Sequence, residues 1–400
     1  MHDAPHSLVN LNAARTDPLA LYVHWPFCVS KCPYCDFNSH VRETIDEAAW
    51  LDALLADMQL EAKETGNRAL GSIFFGGGTP SLMPPRLVER LIDAASRHWS
   101  PVDGCEITLE ANPSSVEAGR FADLARAGVN RVSLGVQSFD DEALRFLGRA
   151  HGVHEALAAV NTAQDCFARV SFDLIYALPG QSLDDWRAML ERALAIGTGH
   201  LSLYQLTIEP GTRFETLVRQ GVFVPADDDH GADLFALTAD MTRTAGLPAY
   251  EISNHAWPGE ESRHNLTYWR YGDYAGIGPG AHGRRNGIAT VRHRKPENYL
   301  AGVDRNNHGL ASTEQLSAGT MAMEALLMGL RLAEGIDVAG LVRRFGFTAN
   351  DLIDEDAVVR LAGLGLVEQA ADRLTVTAQG MPLLDAILPQ IVAIEPEAVA

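Results

Sequence analysis

Residues 22–37 read Tyr-Val-His-Trp-Pro-Phe-Cys-Val-Ser-Lys-Cys-Pro-Tyr-Cys-Asp-Phe and place three cysteines in the spacing C-x3-C-x2-C. Three thiolates so close together can hold one soft metal centre. Zinc sites commonly use four ligands in two separated pairs, and the remaining cysteines, Cys105 and Cys166, stand alone. The alternative to a metal centre is a chance grouping of three core cysteines. The predicted metal ligands are Cys28, Cys32 and Cys35.

The cysteines follow the first of seven apolar runs that alternate with six amphipathic stretches of helical spacing. This alternation predicts an α/β protein with a parallel sheet. A full eight-unit barrel takes roughly 250 residues, and only six complete units precede the point where the pattern changes, which favours a partial (β/α)6 TIM-like barrel. An open doubly wound sheet is the alternative. The predicted strands are 19–23, 72–75, 106–109, 131–136, 170–177, 201–208 and 249–252, and the predicted helices are 45–64, 84–98, 116–127, 153–167, 183–196 and 230–245.

The pattern divides the chain into four parts. Residues 1–18 are predicted to be a flexible N-terminal tail and residues 19–255 the α/β core domain. Residues 256–312 are rich in Gly, His, Arg and Asn and are predicted to be an irregular connecting segment. Residues 313–400 are predicted to be a mostly helical, winged-helix-like domain that lacks a basic recognition helix. Its predicted elements are helices at 313–334, 337–345, 350–363 and 381–392 and a hairpin at 366–377.

Composition and charge make some partners and locations of the protein improbable. The net charge of −20 disfavours a nucleic-acid partner, because the surface would repel a phosphate backbone. No apolar run reaches 18 residues and no apolar leader begins the chain, so we expect no transmembrane segment and a cytoplasmic location. The arginines and lysine at 284–285 and 292–295 form a basic patch. We expect a solvated loop there, and a site for an anionic ligand is the alternative.

Polar residues and glycines cluster where the predicted strands end. The run Gly-Gly-Gly-Thr-Pro-Ser at 76–81 follows the second strand, and consecutive glycines let the backbone approach a ligand closely. Glu110, Gln137 and Asp173 lie at or near the ends of later strands, where the sites of barrel proteins converge. A carboxylate inside an apolar strand is costly without a partner, so Asp173 is expected to meet a ligand or Arg149.

These segments carry a resemblance to a known family. They are Leu-Tyr-Val-His at 21–24 with the cysteines, Gly-Gly-Gly-Thr-Pro at 76–80, Ser-Leu-Gly-Val-Gln-Ser-Phe at 133–139 and Asp-Leu-Ile-Tyr-Ala-Leu-Pro-Gly-Gln at 173–181. Together they resemble the oxygen-independent coproporphyrinogen III oxidase family of radical S-adenosylmethionine (radical SAM) proteins. The resemblance implies a [4Fe–4S] cluster with one open iron that binds SAM. The implied SAM contacts are Tyr22, Gly77, Gly78, Thr79, Glu110, Gln137, Arg149 and Asp173, with Thr207 as a weaker candidate.

Two departures separate the chain from the oxidases of that family. Oxidases carry a further cysteine two places after the third, where this chain has Phe37, and a longer N-terminal extension. The haem chaperone branch resembles the chain in Cys-Pro-Tyr-Cys-Asp-Phe-Asn-Ser at 32–39 and in an H-N-x-x-Y-W motif at 264–269. That resemblance implies haem as cargo and haem-receiving proteins, such as respiratory cytochromes, as partners. The implied haem-site residues are His264, Tyr268 and Trp269.

Alternatives to haem delivery stay open. One is the oxidative decarboxylation of coproporphyrinogen III by radical chemistry at the cluster, and another is a radical SAM reaction on a different substrate. No catalytic residue is assigned. A homodimer is compatible with the sequence, which does not decide the oligomeric state.

Overall fold

The computed structural model describes residues 17–371 and 373–394. All but the last two residues of the predicted tail, 1–18, lie outside the described residues. Among the residues described, no helix has the length and apolar character needed to cross a bilayer.

Strands and helices alternate through the first part of the chain. The strands are β1 (Leu19–Trp25), β2 (Phe27–Cys28), β3 (His40–Val41), β4 (Ala69–Gly77), β5 (Ser100–Ala111), β6 (Arg131–Gln137), β7 (Arg169–Tyr176), β8 (His200–Gln205) and β9 (Asn254–Ala256). The helices are α1 (Glu47–Thr65), α2 (Pro85–His98), α3 (Ser115–Ala118), α4 (Phe121–Arg126), α5 (Asp141–Phe146), α6 (Val153–Cys166), α7 (Leu183–Ile196), α8 (Arg213–Arg219) and α9 (Asp228–Thr244).

The strands β1, β4, β5, β6, β7 and β8 pair in parallel in that order. In the described part of the chain, the first and last of these six do not pair with each other, so the barrel stays open. This confirms the predicted partial (β/α)6 architecture. The buried apolar side chains of the strands pack on those of the helices in one core.

Local signals set the helix boundaries that the sequence predicts. Ser182 and Asp185 form a reciprocal capping box at the start of α7, which satisfies two backbone donors. The helix ends at Gly197, whose φ of 74° lies in the left-handed region that glycine adopts without steric cost. The predicted helix at 116–127 is instead two short helices, α3 and α4, which Gly119 separates.

The predicted seventh strand, at 249–252, is wrong. That segment forms a turn, in which the Tyr250 amide donates to the Asn254 carbonyl at 3.0 Å. The strand that follows, β9, pairs antiparallel with β8. The apolar side chains of this segment pack a turn against the protein rather than a strand. A short apolar run in the sequence does not distinguish between the two.

The prediction of an irregular segment at 256–312 is also wrong. It contains the strands β10 (Tyr274–Ile277), β11 (His282–Arg285) and β12 (Ile288–Arg292), the helices α10 (Arg263–Trp269) and α11 (Pro296–Asn306), and the start of β13 (Leu310–Gln315). β10 pairs in parallel with β1, and the next three strands continue antiparallel. They extend the main sheet to eleven strands in the described chain.

Buried ion pairs explain why the sequence pattern did not predict strands in this segment. Arg292 is fully buried and donates to Glu61 at 2.6 Å and to Asp57 at 3.2 Å. Arg285 donates to Glu61 at 2.5 Å. The expected solvated loop is therefore wrong for Arg285 and Arg292, which meet the carboxylate pair of α1, whereas Arg294 and Lys295 are exposed in a loop as predicted. Polar residues that are buried with partners interrupt the hydrophobic periodicity that marks strands.

The last part of the chain forms a separate small core. Its elements are the helices α12 (Ala318–Gly329), α13 (Val338–Phe345), α14 (Ala349–Leu352), α15 (Glu355–Gly363) and α16 (Leu384–Ile391) and the strands β14 (Ile336–Asp337), β15 (Val367–Ala370) and β16 (Arg373–Val376). Three helices between β14 and the β15–β16 hairpin confirm the winged-helix-like prediction. The long helix predicted at 313–334 is wrong at its start, because residues 313–315 belong to β13 and Ser317 caps α12. The predicted domain boundaries stay a prediction.

Candidate functional site

The cysteine loop joins β2 to β3 at the carboxyl end of β1. His24 in β1 links the loop to the barrel, since its Nε2 donates to the Asn38 carbonyl at 2.9 Å and its Nδ1 accepts from the Tyr22 hydroxyl at 2.9 Å. Burial lowers the pKa of His24 to about 4, so the ring is neutral, as these two bonds require. The loop is thus held to the strand end by a fixed imidazole.

Two side chains from other segments of the chain, one after β4 and one after α5, reach the loop sulfurs. Arg149 donates to the Cys32 sulfur at 3.3 Å, and the Thr79 hydroxyl donates to the Cys28 sulfur at 3.5 Å. Burial raises the pKa of the Cys28 thiol, while the bond from Thr79 and the charge of Arg149 lower it. Metal binding requires thiolates, so these neighbours favour the form that binds a metal.

Three thiols on one loop suit the ligation of a [4Fe–4S] cluster. Over the described ranges, no three ligating side chains converge as a single-ion site requires. In a [4Fe–4S] cluster each thiolate binds its own iron, so the sulfurs need only face a common space. Burial raises the pKa of Cys35, and the charges of Cys32 and Cys28 raise it further, as expected of thiols that share such a space.

The glycine run passes close beneath the loop. Gly77 has a φ of 113°, and a Cβ there would lie 2.5 Å from the His24 ring. A Cβ on Gly78 would lie 2.7 Å from the Phe27 carbonyl oxygen. Both glycines therefore have a packing reason as well as the predicted binding role. The Gly77 amide donates to a Glu110 carboxylate oxygen at 3.2 Å, and this hydrogen bond joins the carboxyl ends of β4 and β5.

Two carboxylates lie at this end of the barrel without an ion-pair partner among the described residues. Burial and the neighbouring Asp173 raise the pKa of Glu110 to about 8. Burial also raises the pKa of Asp173 to about 6, against hydrogen bonds from Ser202 and Ser133. Of the two partners predicted for Asp173, a ligand or Arg149, the described chain shows no ion pair with Arg149. Because a buried anion needs compensation, this region suits a ligand that carries positive charge.

Arg149 and Gln137 occupy constrained positions beside these carboxylates. Arg149 donates to the Gly135 carbonyl at 2.9 Å and to Asn112 Oδ1 at 2.6 Å. Gln137 has a φ of 69°, in the left-handed region that is costly for its side chain, and its buried Oε1 has no partner in the described structure. An orphaned acceptor on a strained residue is typical of a ligand site.

Sequence reasoning missed Asn112. Its amide nitrogen donates to the Thr79 hydroxyl at 3.2 Å, and its oxygen accepts from Arg149. It therefore links two candidate SAM contacts. The signal was its place two residues after Glu110, at the end of β5. The weaker candidate Thr207 is exposed after β8 and donates to Glu209, away from this network.

The H-N-x-x-Y-W motif lies at the opposite end of the barrel. His264 in α10 is 1% exposed, and its ring contacts the Ser72 hydroxyl at 2.9 Å and the Tyr268 hydroxyl at 2.7 Å. Burial lowers its pKa to about 3, so the ring is neutral. It also stacks on Phe74, with ring centroids 4.9 Å apart. Trp269 lies instead beside Arg331. The haem role of these residues stays a prediction.

A buried ion cluster anchors α10 beneath the strands. Glu106 in β5 pairs with Arg131 at 3.1 Å and with Arg169 at 2.7 Å, which are the first residues of β6 and β7. The same carboxylate accepts from the His264 amide at 3.2 Å. The two arginines hold the pKa of Glu106 low against burial. α10 therefore closes the amino end of the barrel, while the cysteines lie at the carboxyl end.

A partial (β/α)6 barrel with three thiols at the end of its first strand, beside a glycine run and unpaired carboxylates, defines the radical SAM class. The family model described as "Radical SAM superfamily" matches residues 22–193, and "HemN C-terminal domain" matches residues 316–383.

Similar proteins of known name identify the family to which the chain belongs within the radical SAM class. "Heme chaperone HemW" of Escherichia coli (strain K12) is 38% identical over 386 residues, which cover 95% of this chain and 99% of that protein. "Radical S-adenosyl methionine domain-containing protein 1, mitochondrial" of Bos taurus is 40% identical over 326 residues, which cover 79% and 74% of the two chains. The chain belongs to the radical SAM superfamily and, within it, to the family of the proteins named HemW.

A solved structure supports the fold. That of coproporphyrinogen III oxidase from Escherichia coli superposes with a TM-score of 0.79 at 22% identity, covering 95% of this chain and 91% of that one. At this identity the likeness concerns the fold alone.

Proposed function

We propose that the protein is a haem chaperone that carries a [4Fe–4S] cluster and SAM, binds haem and passes it to haem-requiring proteins such as respiratory cytochromes. The observation that carries the proposal is the similarity to proteins named HemW over nearly the whole length of both chains. Phe37 supports it, because it stands where the oxidases have a further cysteine and is 59% exposed beside the loop.

The cluster would be held by Cys28, Cys32 and Cys35, with Arg149 and Thr79 favouring the thiolates. When bound, a cluster of this kind supplies an electron-transfer centre beside SAM. The proposed SAM contacts remain those named from the resemblance. Their support is the pair of unpaired carboxylates, Glu110 and Asp173, which suit the cationic ammonium and sulfonium of SAM. The proposal includes a cytoplasmic location, because clustered thiols need a reducing compartment. Whether the chaperone acts as a homodimer is tested by its mass in solution.

One anaerobic preparation tests the proposal. We expect the reconstituted protein to contain iron and sulfide, to bind haem near stoichiometry with a shift of the Soret band, and to leave coproporphyrinogen III unconverted under reducing conditions. Porphyrinogen conversion at enzyme-like rates, or a Soret band that titration does not shift, would contradict the chaperone assignment.

Matched cysteine variants separate the cluster from general effects. Cys32→Ser should lose the broad cluster absorbance. Cys166→Ser is the control, because Cys166 is a partly buried residue at the end of α6, packed against the barrel core. Equal loss in both variants would indicate that the absorbance does not come from the proposed site.

A further inference from the structure

Aromatic side chains line a hollow space inside the barrel. Tyr22 and Phe74, on neighbouring strands, have stacked rings with centroids 6.2 Å apart, and Tyr268 lies edge to face with Tyr274 at 4.5 Å. Tyr204 in β8 is 41% exposed, yet burial raises the pKa of its hydroxyl well above the usual range. A side chain that is accessible and also surrounded by protein lines an enclosed space, so the barrel is hollow beside β8.

This space has an opening along one side, because the strands do not close into a ring. In the main sheet β9 follows β8 and β10 precedes β1, and no described strand joins β9 to β10. The last two residues of β8, Tyr204 and Gln205, are exposed. An interior that is open along one side admits a broad planar ligand, whereas the side chains of a closed eight-stranded barrel fill its interior.

His282, the first residue of β11, lies on the inner face of the sheet beside this opening. Side chains alternate along a strand, and the guanidinium of Arg284, the next residue on the same face, lies 5.5 Å from the Tyr274 ring. A Cβ on Gly276 would overlap the His282 carbonyl oxygen, and Gly276 is the residue that pairs with Tyr22. His282 is therefore close to the aromatic side chains and at the carboxyl end of the barrel.

The imidazole of His282 is available to a ligand. The residue is exposed, and no hydrogen bond or ion pair involves its ring in the described chain. It lies close enough to His24 for its charge to lower the pKa of that residue. In His24 and His264 both ring nitrogens are already held in hydrogen bonds within the protein. A histidine must offer a nitrogen lone pair to bind iron, and of these three residues His282 alone has one free.

From this arrangement we infer that His282 is the axial ligand of the haem iron and that the macrocycle enters the open side of the barrel. This inference rests on the proposed function. Imidazole is a common axial ligand of haem, and Tyr204, Tyr268 and Tyr274 offer aromatic contacts to a porphyrin. The H-N-x-x-Y-W motif then contributes Tyr268 to the floor of the site, with His264 holding its hydroxyl. A single ligand at the edge of the site, with the propionates in water, lets the cargo leave.

Spectroscopy of the full-length protein, prepared anaerobically and loaded with haem, tests the ligand. Resonance Raman spectra of the ferrous parent should show an iron–histidine stretching band. His282→Ala should lose this band and bind haem at least about tenfold more weakly, and free imidazole should restore an iron–imidazole band. Protoporphyrin IX has no iron to ligate and should bind the parent and His282→Ala alike. His154→Ala, an exposed residue near the start of α6, is the control.

A second pair of variants tests the place of the macrocycle. Tyr204→Glu puts a charge into the enclosed space and should weaken the binding of both haem and protoporphyrin IX about tenfold. Val224→Glu should bind both as the parent does, because Val224 is 78% exposed in the turn after α8. Cluster absorbance, recorded for each variant, shows that the cysteine loop remains intact.

The outcomes separate this inference from the proposed function. An iron–histidine band that persists in His282→Ala, its absence from the haem-loaded parent, or a loss that imidazole does not restore would overturn the assignment of His282. Parent-like binding by Tyr204→Glu would overturn the place of the macrocycle. Each of these results leaves the chaperone function standing, whereas failure of the parent protein to bind haem would overturn both.

Discussion

The guanidinium of Arg149 lies 3.3 Å from the sulfur of Cys32. The arginine comes from the segment after α5, so the charge that favours the thiolates is supplied from a different part of the barrel end. Its second terminal nitrogen binds the Gly135 carbonyl and Asn112, which fixes the planar group in place. The position of the cysteine loop therefore depends on the folded barrel as well as on its own spacing.

Arg149→Met should lower the cluster content of the protein several-fold. The change removes the positive charge beside the thiols and leaves the Asn112 oxygen without its donor. Iron and sulfide content after reconstitution checks it. Arg126→Met is the control, because Arg126 is exposed on α4 and, among the described residues, pairs only with the exposed Asp123. Equal cluster content in the two variants would contradict the role of Arg149.

Arg292→Met should destabilise the cluster-free protein by about 3–5 kcal/mol, because Asp57 would remain buried without a counter-charge and Glu61 would keep only Arg285. Denaturant unfolding followed by tryptophan fluorescence measures this. Arg42→Met removes an exposed pair with Glu297 and should cost no more than about 1 kcal/mol. A similar effect of both changes would mean that burial does not set the cost.

Glu110→Gln should stabilise the cluster-free protein at high pH and leave it unchanged at low pH. Burial and Asp173 raise the pKa of Glu110 from 4.5 to about 8 in the folded state. The stability that the protonated carboxyl contributes is therefore complete below pH 4.5 and is lost as the pH rises through 8. The amide cannot ionise, so we expect a gain of more than about 1 kcal/mol at the upper end of this window.

Unfolding free energies at several pH values check this prediction. Glu142→Gln serves as the control, since the Glu142 side chain is 89% exposed. A gain that is the same at every pH would show that the amide acts by packing rather than by removing a charge.

His264→Ala should destabilise the protein by about 2–4 kcal/mol. The change leaves the Ser72 and Tyr268 hydroxyls without their partner and opens a cavity against Phe74. Thermal unfolding measures the loss. His98→Ala, on the last turn of α2, is the control and should be near neutral.

Features that depend on a few neighbouring residues could be predicted from the sequence. The cysteine spacing identified the loop, the alternation of apolar runs and amphipathic stretches predicted the partial barrel, and the helix predicted at 183–196 has the bounds of α7. The winged-helix-like order of the last elements was also predicted. These features depend on burial periodicity and on backbone capping, which each segment expresses locally.

Only the tertiary structure decided where buried charges find their partners. Arg292 and Asp57 are 235 positions apart, and their pairing turned an expected solvated loop into strands of the main sheet. The place of His264 beneath the barrel and the link from Arg149 to Asn112 were decided in the same way. A charged side chain is predicted to be exposed as long as its counter-charge is unknown. Its burial costs too much free energy unless another residue, often distant in sequence, compensates the charge.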